Sequence, residues 1–269
     1  MWAFLSDIRS HPIYGRQRGR WGEVNSYYKR ITSYLWLLIF AFPVLFITNA
    51  ITPFSIFGSQ EYGFLFLTTC LPGLVVQLIT WIGLISAPAM TAPAIVEEIQ
   101  GGSWDILRLT PMPVHEIVIA KFLGGLSYLK IWVPLLLVSI LQAILFFLGL
   151  SASFVGFDQP NPIPLILAGA SILLRPWLEI TFAGIVGITI SMWATSVRGA
   201  LVSSYAIILL FKFILSNIAS VVVLVMFSEF GFDALGTAIS FSLPLLLYSG
   251  AIMLAVLIIV QRSNYLGRI

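Results

Sequence analysis

Long apolar stretches separated by short polar segments dominate this chain. A window of about 20 predominantly apolar residues is long enough to cross the hydrocarbon layer of a bilayer as a helix. Such windows recur at Ile31 to Ile51, Gly63 to Ala87, Ile131 to Leu150, Pro164 to Thr195, Leu201 to Phe227 and Ala238 to Val260. The pattern predicts an all-α integral membrane protein with about six transmembrane helices.

The fourth window is longer than a bilayer requires, and it contains Arg175 and Pro176. A proline inside an apolar stretch either kinks a helix or separates two of them. The sequence therefore leaves two forms of this span open. It is a single long helix, or it is preceded by a separate outer segment near Ile163 to Leu174.

Composition agrees with the pattern of apolar windows. Hydrophobic residues make up 59% of the chain and charged residues 9%, whereas soluble domains are about one-quarter charged. The 269 residues leave little room for a soluble catalytic domain beside six spans. The single cysteine, Cys70, excludes a disulfide within the chain and is expected only to pack.

Charge predicts the orientation of the spans, because loops rich in Lys and Arg stay on the cytoplasmic side. Basic residues precede the first span, follow the sixth, and lie between spans two and three and between spans four and five: Arg9, Arg16, Arg18, Arg20, Lys29, Arg30, Arg108, Lys121, Lys130, Arg198, Arg262 and Arg268. The charged residues of the opposite loops are all acidic: Glu61, Asp158, Glu229 and Asp233. Both termini are therefore predicted to be cytoplasmic. The expected location is the plasma membrane, a bacterial inner membrane.

The segments outside the spans are short. Residues 1–30 form a basic N-terminal segment, residues 31–261 the membrane domain and residues 262–269 a cytoplasmic tail. The N-terminal segment is expected to be retained, because a cleavable signal has a short basic start before an apolar core of about 7–15 residues. It lies as a helix along anionic lipid headgroups, or it is a basic flank that only sets topology.

The loop between the second and third spans, about residues 94–121, concentrates charge, glycine and proline. Gly101 and Gly102 are expected to end the helix that carries the preceding acids. Ser103 is expected to cap a new helix with Asp105 in its first turn, where the helix dipole favours an acid.

This new helix is predicted to be short and amphipathic. Its apolar positions are Trp104, Ile106, Leu107 and Leu109. Pro111 ends it after about two turns, and Pro113 with Glu116 begins the next helix. Such a helix docks in a groove of a cytoplasmic partner, or it packs only on its own protein.

The loop resembles that of the type-2 ABC export permeases, in which a glutamate-rich stretch is followed by Gly, Ser or Thr, an aromatic residue or Leu, an acid, apolar residues, Thr-Pro and later Glu-Ile and Lys. The matching residues here are Glu97, Glu98, Gly102, Ser103, Trp104, Asp105, Leu107, Thr110, Pro111, Glu116, Ile117 and Lys121. The segments His11 to Trp21 and Ile190 to Ala200 look similar to other stretches of that family. With six spans, the resemblance covers essentially the whole chain.

The resemblance implies a transport subunit that forms a homodimer, or a heterodimer with a related permease, and whose loop acts as a coupling helix against a separate ABC ATPase. The coupling residues that it implies are Glu97, Glu98, Ser103, Trp104, Asp105, Leu107, Thr110 and Pro111. The chain has no G-x-x-x-x-G-K-[ST] phosphate loop, so ATP and magnesium are expected on the partner and no cofactor on this chain. The paired glycines and Pro113 depart from the family pattern and leave the length of the coupling helix open.

Arg175, Glu179 and Lys212 fall inside apolar stretches, where an ionisable group is costly and is by default a candidate functional site. Arg175 and Glu179 are four residues apart, so a helix places them on one face, where they can pair. Their predicted role is to line a polar path for a substrate or to hold the protein in one conformation. In the structural alternative, Arg175 lies at the outer interface and Lys212 extends its ammonium toward water.

Small residues recur every four positions at Ala183, Gly187, Ser191 and Thr195. This stripe lets another helix approach closely, within the subunit or in a dimer. The two histidines have no second ligand at metal spacing, and the few polar residues of the spans assemble no nucleophile, base and orienting acid. A metal centre and an enzyme activity are therefore not expected. Nucleic-acid binding is not expected either, because topology and anionic lipid explain the basic N-terminal residues. A secondary carrier and a non-transporting membrane scaffold or assembly protein remain the alternatives to a permease.

Overall fold

The computed structural model describes residues 13–14, 71–109, 113–154, 162–230 and 234–266. Within these ranges the chain is helical and contains no strand. The helices are α1 (Leu71–Thr91), α2 (Pro93–Gln100), α3 (Ser103–Arg108), α4 (Val114–Tyr128), α5 (Trp132–Phe154), α6 (Pro162–Ser191), α7 (Val197–Phe230) and α8 (Ala234–Leu266). The predicted first span, Ile31 to Ile51, lies outside the described residues, as do Thr110 and Pro111.

Four described helical stretches are long and apolar enough to cross a membrane: Pro72–Gln100, Gly169–Ser191, Val197–Ile218 and Ser242–Ser263. A fifth crossing is added if α4 and α5, which meet at a bend of 67°, form one span. The all-α prediction is confirmed for the described part of the chain. These helices have the length and composition of spans in an integral membrane protein.

The second span extends further than its apolar window predicts. The window ends at Ala87, but α1 continues through Pro88 to Thr91, and Pro93 is the first residue of α2. The Ala92 amide donates to the Pro88 carbonyl at 2.8 Å, and Ala92 itself has helical backbone angles, so the chain passes from α1 into α2 without a loop. A proline is tolerated at the first turn of a helix, where its missing N–H is not needed. Helical structure therefore carries the chain directly from the span into the polar loop.

The bend between α4 and α5 lies at Lys130, whose φ of 42° interrupts the helix. The Trp132 indole N–H donates to the Leu126 carbonyl at 2.7 Å. The same carbonyl also accepts from the Leu129 amide at 3.1 Å, so a side chain of α5 and the backbone of α4 both hold the end of α4.

Across this bend, α4 and α5 follow α1 in antiparallel order. Gly125 on α4 lies against Thr91, near the end of α1. At the start of α1, Gly73 lies against the Gln142 amide of α5. The pair thus runs beside α1 over most of its length, and it includes α4, which the predicted third span, Ile131 to Leu150, left out.

Helix α6 packs against α1, α2, α4, α5, α7 and α8. It is one continuous helix with Pro176 inside it, so the described residues contain no separate outer segment before Arg175. Thr195, the last of the four predicted stripe residues, is exposed and lies beyond the end of α6. The other three are buried on α6. Gly187 lies against Pro88 and Thr91 of α1, and Ser191 accepts hydrogen bonds from α2. These contacts are within the subunit.

Candidate functional site

Two groups of polar residues lie at separate levels along the helical bundle. The first is the elbow, defined as residues 93–109, which comprises α2, the paired glycines and α3. Helix α2 ends at Gln100, and Gly102 adopts a φ of 70°. This left-handed conformation suits glycine because it has no Cβ. The prediction that the glycine pair ends the helix carrying Glu97 and Glu98 is confirmed.

Ser103 differs from its predicted role. Gly102 occupies the N-cap position of α3, and Ser103 is the first helical residue. The Ser103 hydroxyl donates to the Glu98 carboxylate. Because the acceptor is ionised, this hydrogen bond is stronger than one between neutral groups. Asp105 lies in the first turn of α3 as predicted, Pro113 precedes α4, and Glu116 lies in the first turn of α4.

A buried ion pair joins the elbow to α4. Lys121 Nζ lies 3.0 Å from Glu98 Oε1, and the two side chains are 2% and 6% exposed. The same ammonium donates to the Ala94 carbonyl at 2.9 Å. Together with Ser103, these contacts connect α2, α3 and α4 at one point that solvent does not reach.

The start of α2 is held by α6. The Ser191 hydroxyl oxygen accepts hydrogen bonds from the Ile95 and Val96 amides at 3.1 and 3.2 Å. At the other end of α2, the Gln100 side-chain amide donates to the Thr195 carbonyl at 2.8 Å. Since the first amides of a helix have no partner within it, Ser191 satisfies two groups that would otherwise be unpaired.

The apolar residues of α3 divide between two faces. Trp104 is 6% exposed and packs with Ile95, Ile117 and Ile259, while Leu107 is half-buried against the same cluster. Ile106 and Leu109 are 69% and 86% exposed, and Ile99 on α2 is also exposed. We refer to Ile99, Ile106 and Leu109 as the exposed elbow residues. Trp104 and Leu107 therefore attach the elbow to its own protein, and the other face of α3 is exposed.

The remaining predicted coupling residues are divided in the same way. Glu97 is half-buried on α2, and Asp105 is exposed. Thr110 and Pro111 lie outside the described residues.

The second group is the charge cluster, formed by Arg175, Glu179 and Lys212. Glu179 is buried, and its two oxygens accept separate bonds: Arg175 Nε lies 2.9 Å from Oε1 and Lys212 Nζ 2.9 Å from Oε2. The predicted pairing of Arg175 with Glu179 is confirmed. Lys212 also lies 4.3 Å from the centroid of the Trp81 ring, a cation–π distance. The cluster thus joins α1, α6 and α7.

Aromatic rings pack beside the charge cluster. The Phe182 and Phe211 ring centroids are 4.5 Å apart, and Tyr248 meets both edge-on at 5.7 and 5.4 Å. Sequence reasoning missed Tyr248 and Trp81, because an aromatic residue in an apolar span gives no signal of a partner on another helix.

A cavity of about 220 Å³ opens next to the charge cluster, between α1, α5 and α6. Its polar lining residues are Gln77, Thr80, Gln142, Ser171, Arg175 and Glu179. Gln142 Oε1 is buried without a hydrogen-bond partner among the described residues. The two glutamines were missed at the sequence level, although polar amides inside apolar windows are the signal that marks them.

Neither group resembles a metal site. Within the described ranges, His, Cys, Asp and Glu form no group of three or more that is able to hold a metal ion. Ion pairs, aromatic rings and amides of neighbouring helices build both groups. Comparison of the chain with protein-family models, with curated proteins and with solved structures finds no match in any of the three.

Proposed function

We propose that this chain is the membrane-spanning permease subunit of an ABC-type exporter, which forms the translocation path and couples it to a separate ATPase subunit. The observation that carries the proposal is the elbow. A short helix is fixed by the buried Glu98–Lys121 pair, and it presents apolar side chains at Ile106 and Leu109. An apolar side chain exposed on a fixed helix is suited to a groove of a partner protein.

Stiffness is what a coupling element requires. An ATPase that moves against the exposed elbow residues displaces α3. The ion pair then passes this displacement to α4, Ser191 passes it to α6, and Gln100 passes it to the segment that follows α6. Because packed interiors transmit strain and do not absorb it, the long helices move as bodies and alternate the access of a cavity. ATP and magnesium act on the partner, and this chain catalyses no reaction.

The proposed topology has six spans with both termini in the cytoplasm of a bacterial cell. The described helices supply up to five crossings, and the apolar window Ile31 to Ile51 adds a sixth. Ile13, near the N-terminus, and Ile259, near the end of α8, pack in the same cluster as Trp104. This contact supports a location of both termini on the side of the elbow. Two permease subunits, identical or related, complete the transporter.

Co-purification with an ABC ATPase encoded beside this chain tests the proposal. We expect the wild-type chain to retain the ATPase and Ile106→Asp to lower the retained amount by about tenfold or more, since central interface residues contribute about 2 kcal/mol or more. Ser196→Asp is the matched control. It adds the same charge in the exposed loop after α6, and its carboxylate can replace the hydroxyl that accepts the Gly199 amide.

Two results would contradict coupling through the elbow. In the first, Ile106→Asp retains the ATPase at the wild-type level. In the second, the wild-type chain does not bind the ATPase. In the bound complex, Ile106→Asp is also expected to uncouple ATP hydrolysis from the permease, whereas Ser196→Asp is not.

A secondary carrier is the second candidate, and the charge cluster favours it. Glu179 is a buried acid held between two cations beside a polar cavity, and ionisable groups within spans mark ion and proton pathways. Transport driven by an ion gradient in liposomes that contain this chain alone, and its loss in Glu179→Gln, would favour the carrier over the permease.

A further inference from the structure

The cavity beside the charge cluster lies far from the elbow. Gln77 in the cavity and Glu98 in the elbow are 21 positions apart on α1 and α2, a helical distance of about 30 Å. Gln77 is exposed, so the cavity is open to its surroundings. A ligand in this cavity therefore binds roughly 30 Å along the helix axis from the proposed ATPase contact.

The charges around the cavity do not cancel. Arg175 and Lys212 each contact one oxygen of Glu179, so two cations surround one carboxylate and leave one positive charge. This excess charge lies among apolar helices. The dielectric constant there is lower than that of water, which strengthens the attraction between the charge and an anion.

Arg175 is the group able to reach such an anion. Its guanidinium donates to Glu179 through Nε, and its terminal nitrogens have no hydrogen-bond partner among the described residues. The side chain is 47% exposed and lines the cavity. Two terminal nitrogens in one plane match the two oxygens of an oxyanion.

Gln142 supplies a second donor across the cavity. Its Oε1 is buried without a partner among the described residues, and a buried polar group without a partner is costly. Because the oxygen and nitrogen of a glutamine amide exchange places when the group turns over, Gln142 can donate to an anion as well as accept. Ser171, a buried residue of the lining, adds a hydroxyl.

We propose that this cavity binds an oxyanion, a phosphate group, held by the terminal nitrogens of Arg175 with the Gln142 amide and the Ser171 hydroxyl. The volume of about 220 Å³ is below the roughly 300–1,000 Å³ of drug-sized sites, so the cavity accepts a headgroup and not a whole large molecule. A phospholipid or a soluble phosphate supplies the same chemistry. The proposal does not depend on the coupling role of the elbow.

Two probes distinguish these sources in the full chain purified in detergent. Native mass spectrometry compares the retention of phosphatidylglycerol, which carries one negative charge, with that of zwitterionic phosphatidylcholine. The melting temperature is then measured with inorganic phosphate and with chloride at the same ionic strength. Preferred retention of phosphatidylglycerol identifies a lipid headgroup, and stabilisation by phosphate alone identifies a soluble anion; both outcomes support the site.

Arg175→Gln is the decisive variant. It is expected to fold, because Glu179 keeps its bond to Lys212 and the arginine side chain is half exposed. Loss of a charge-assisted bond predicts binding weaker by about tenfold or more. Arg198→Gln removes the same charge from an exposed position in the first turn of α7 and should bind like the wild type. Gln142→Leu, which keeps the charge, should also weaken binding.

Any of three results would overturn the proposal. The first is that the wild-type chain prefers neither probe, and the second is that Arg175→Gln binds as strongly as the wild type. The third is that Arg198→Gln loses as much binding as Arg175→Gln. The last result would assign the binding to net charge and not to the cavity. Because no ATPase is present in these measurements, a negative result here leaves the coupling proposal to its own test.

Discussion

The Lys121→Met substitution removes the ammonium that contacts Glu98 and keeps an unbranched side chain in a site that is 2% exposed. The Glu98 carboxylate then remains buried without this cation, and the Ala94 carbonyl loses its donor. Breaking a buried pair by removal of one partner costs about 3–5 kcal/mol, whereas replacing both partners by apolar groups is often close to neutral. We therefore expect a loss of about 3–5 kcal/mol for the single variant and much less than twice that for Glu98→Met with Lys121→Met.

Unfolding in mixed micelles of dodecyl maltoside and sodium dodecyl sulfate, followed by circular dichroism, measures these free energies for the full chain. The double-mutant cycle then isolates the energy that the two side chains share. Lys130→Met is the matched control, because Lys130 is an exposed lysine just beyond the same helix. It should unfold within about 0.5 kcal/mol of the wild type.

Two results would refute this account of the elbow. If Lys121→Met unfolds at the wild-type concentration of dodecyl sulfate, the pair does not hold the elbow to α4. If the two single losses add in the double variant, Glu98 and Lys121 act independently, and each is stabilised by other contacts.

Two further predictions concern packing within the bundle. A methyl group at Gly187 would meet a Cα atom of α1 at 3.1 Å, whereas one at Gly250 would meet nothing within 4 Å. Gly187→Ala should therefore cost about 1–3 kcal/mol in the same unfolding assay, and Gly250→Ala should be neutral or stabilise α8 by about 0.5–1 kcal/mol; equal effects would argue against close packing of α1 on α6. The Ser139 hydroxyl is buried and has no partner among the described residues, so Ser139→Ala should stabilise the protein by about 1 kcal/mol. A loss of stability in this variant would show that the hydroxyl has a partner after all.

Features that depend on neighbours along the chain could be predicted from the sequence. The helix break at Gly101 and Gly102 follows from the freedom of glycine, and the pairing of Arg175 with Glu179 follows from helical spacing. The long apolar windows predicted helices of membrane-spanning length in the described residues, because burial in lipid requires apolar side chains on all sides of a helix. The continuation of the second span through Pro88 was not predicted, because the nearby backbone decides whether a proline ends a helix.

Contacts between distant parts of the chain could not be predicted. Glu98 meets Lys121 across 23 positions and Glu179 meets Lys212 across 33, and no spacing rule relates residues on different helices. The same holds for the orientation of Trp104, which packs inward while Ile106 points outward. A short amphipathic pattern predicts an apolar face, but the packing of the surrounding helices determines which residues of that face are buried.

The hydrogen bonds at the start of α2 also determine when the elbow can fold during synthesis. The Ile95 and Val96 amides bond to Ser191, which follows them by 96 and 95 positions. At about 5–20 residues per second, the ribosome needs roughly 5–20 s to add that length of chain. Until α6 emerges, the first turn of α2 lacks the acceptor that fixes it, and water takes its place. The elbow therefore reaches its final geometry only after Ser191 has been synthesised, so a partner of the kind proposed for the elbow would meet that geometry only once α6 is present.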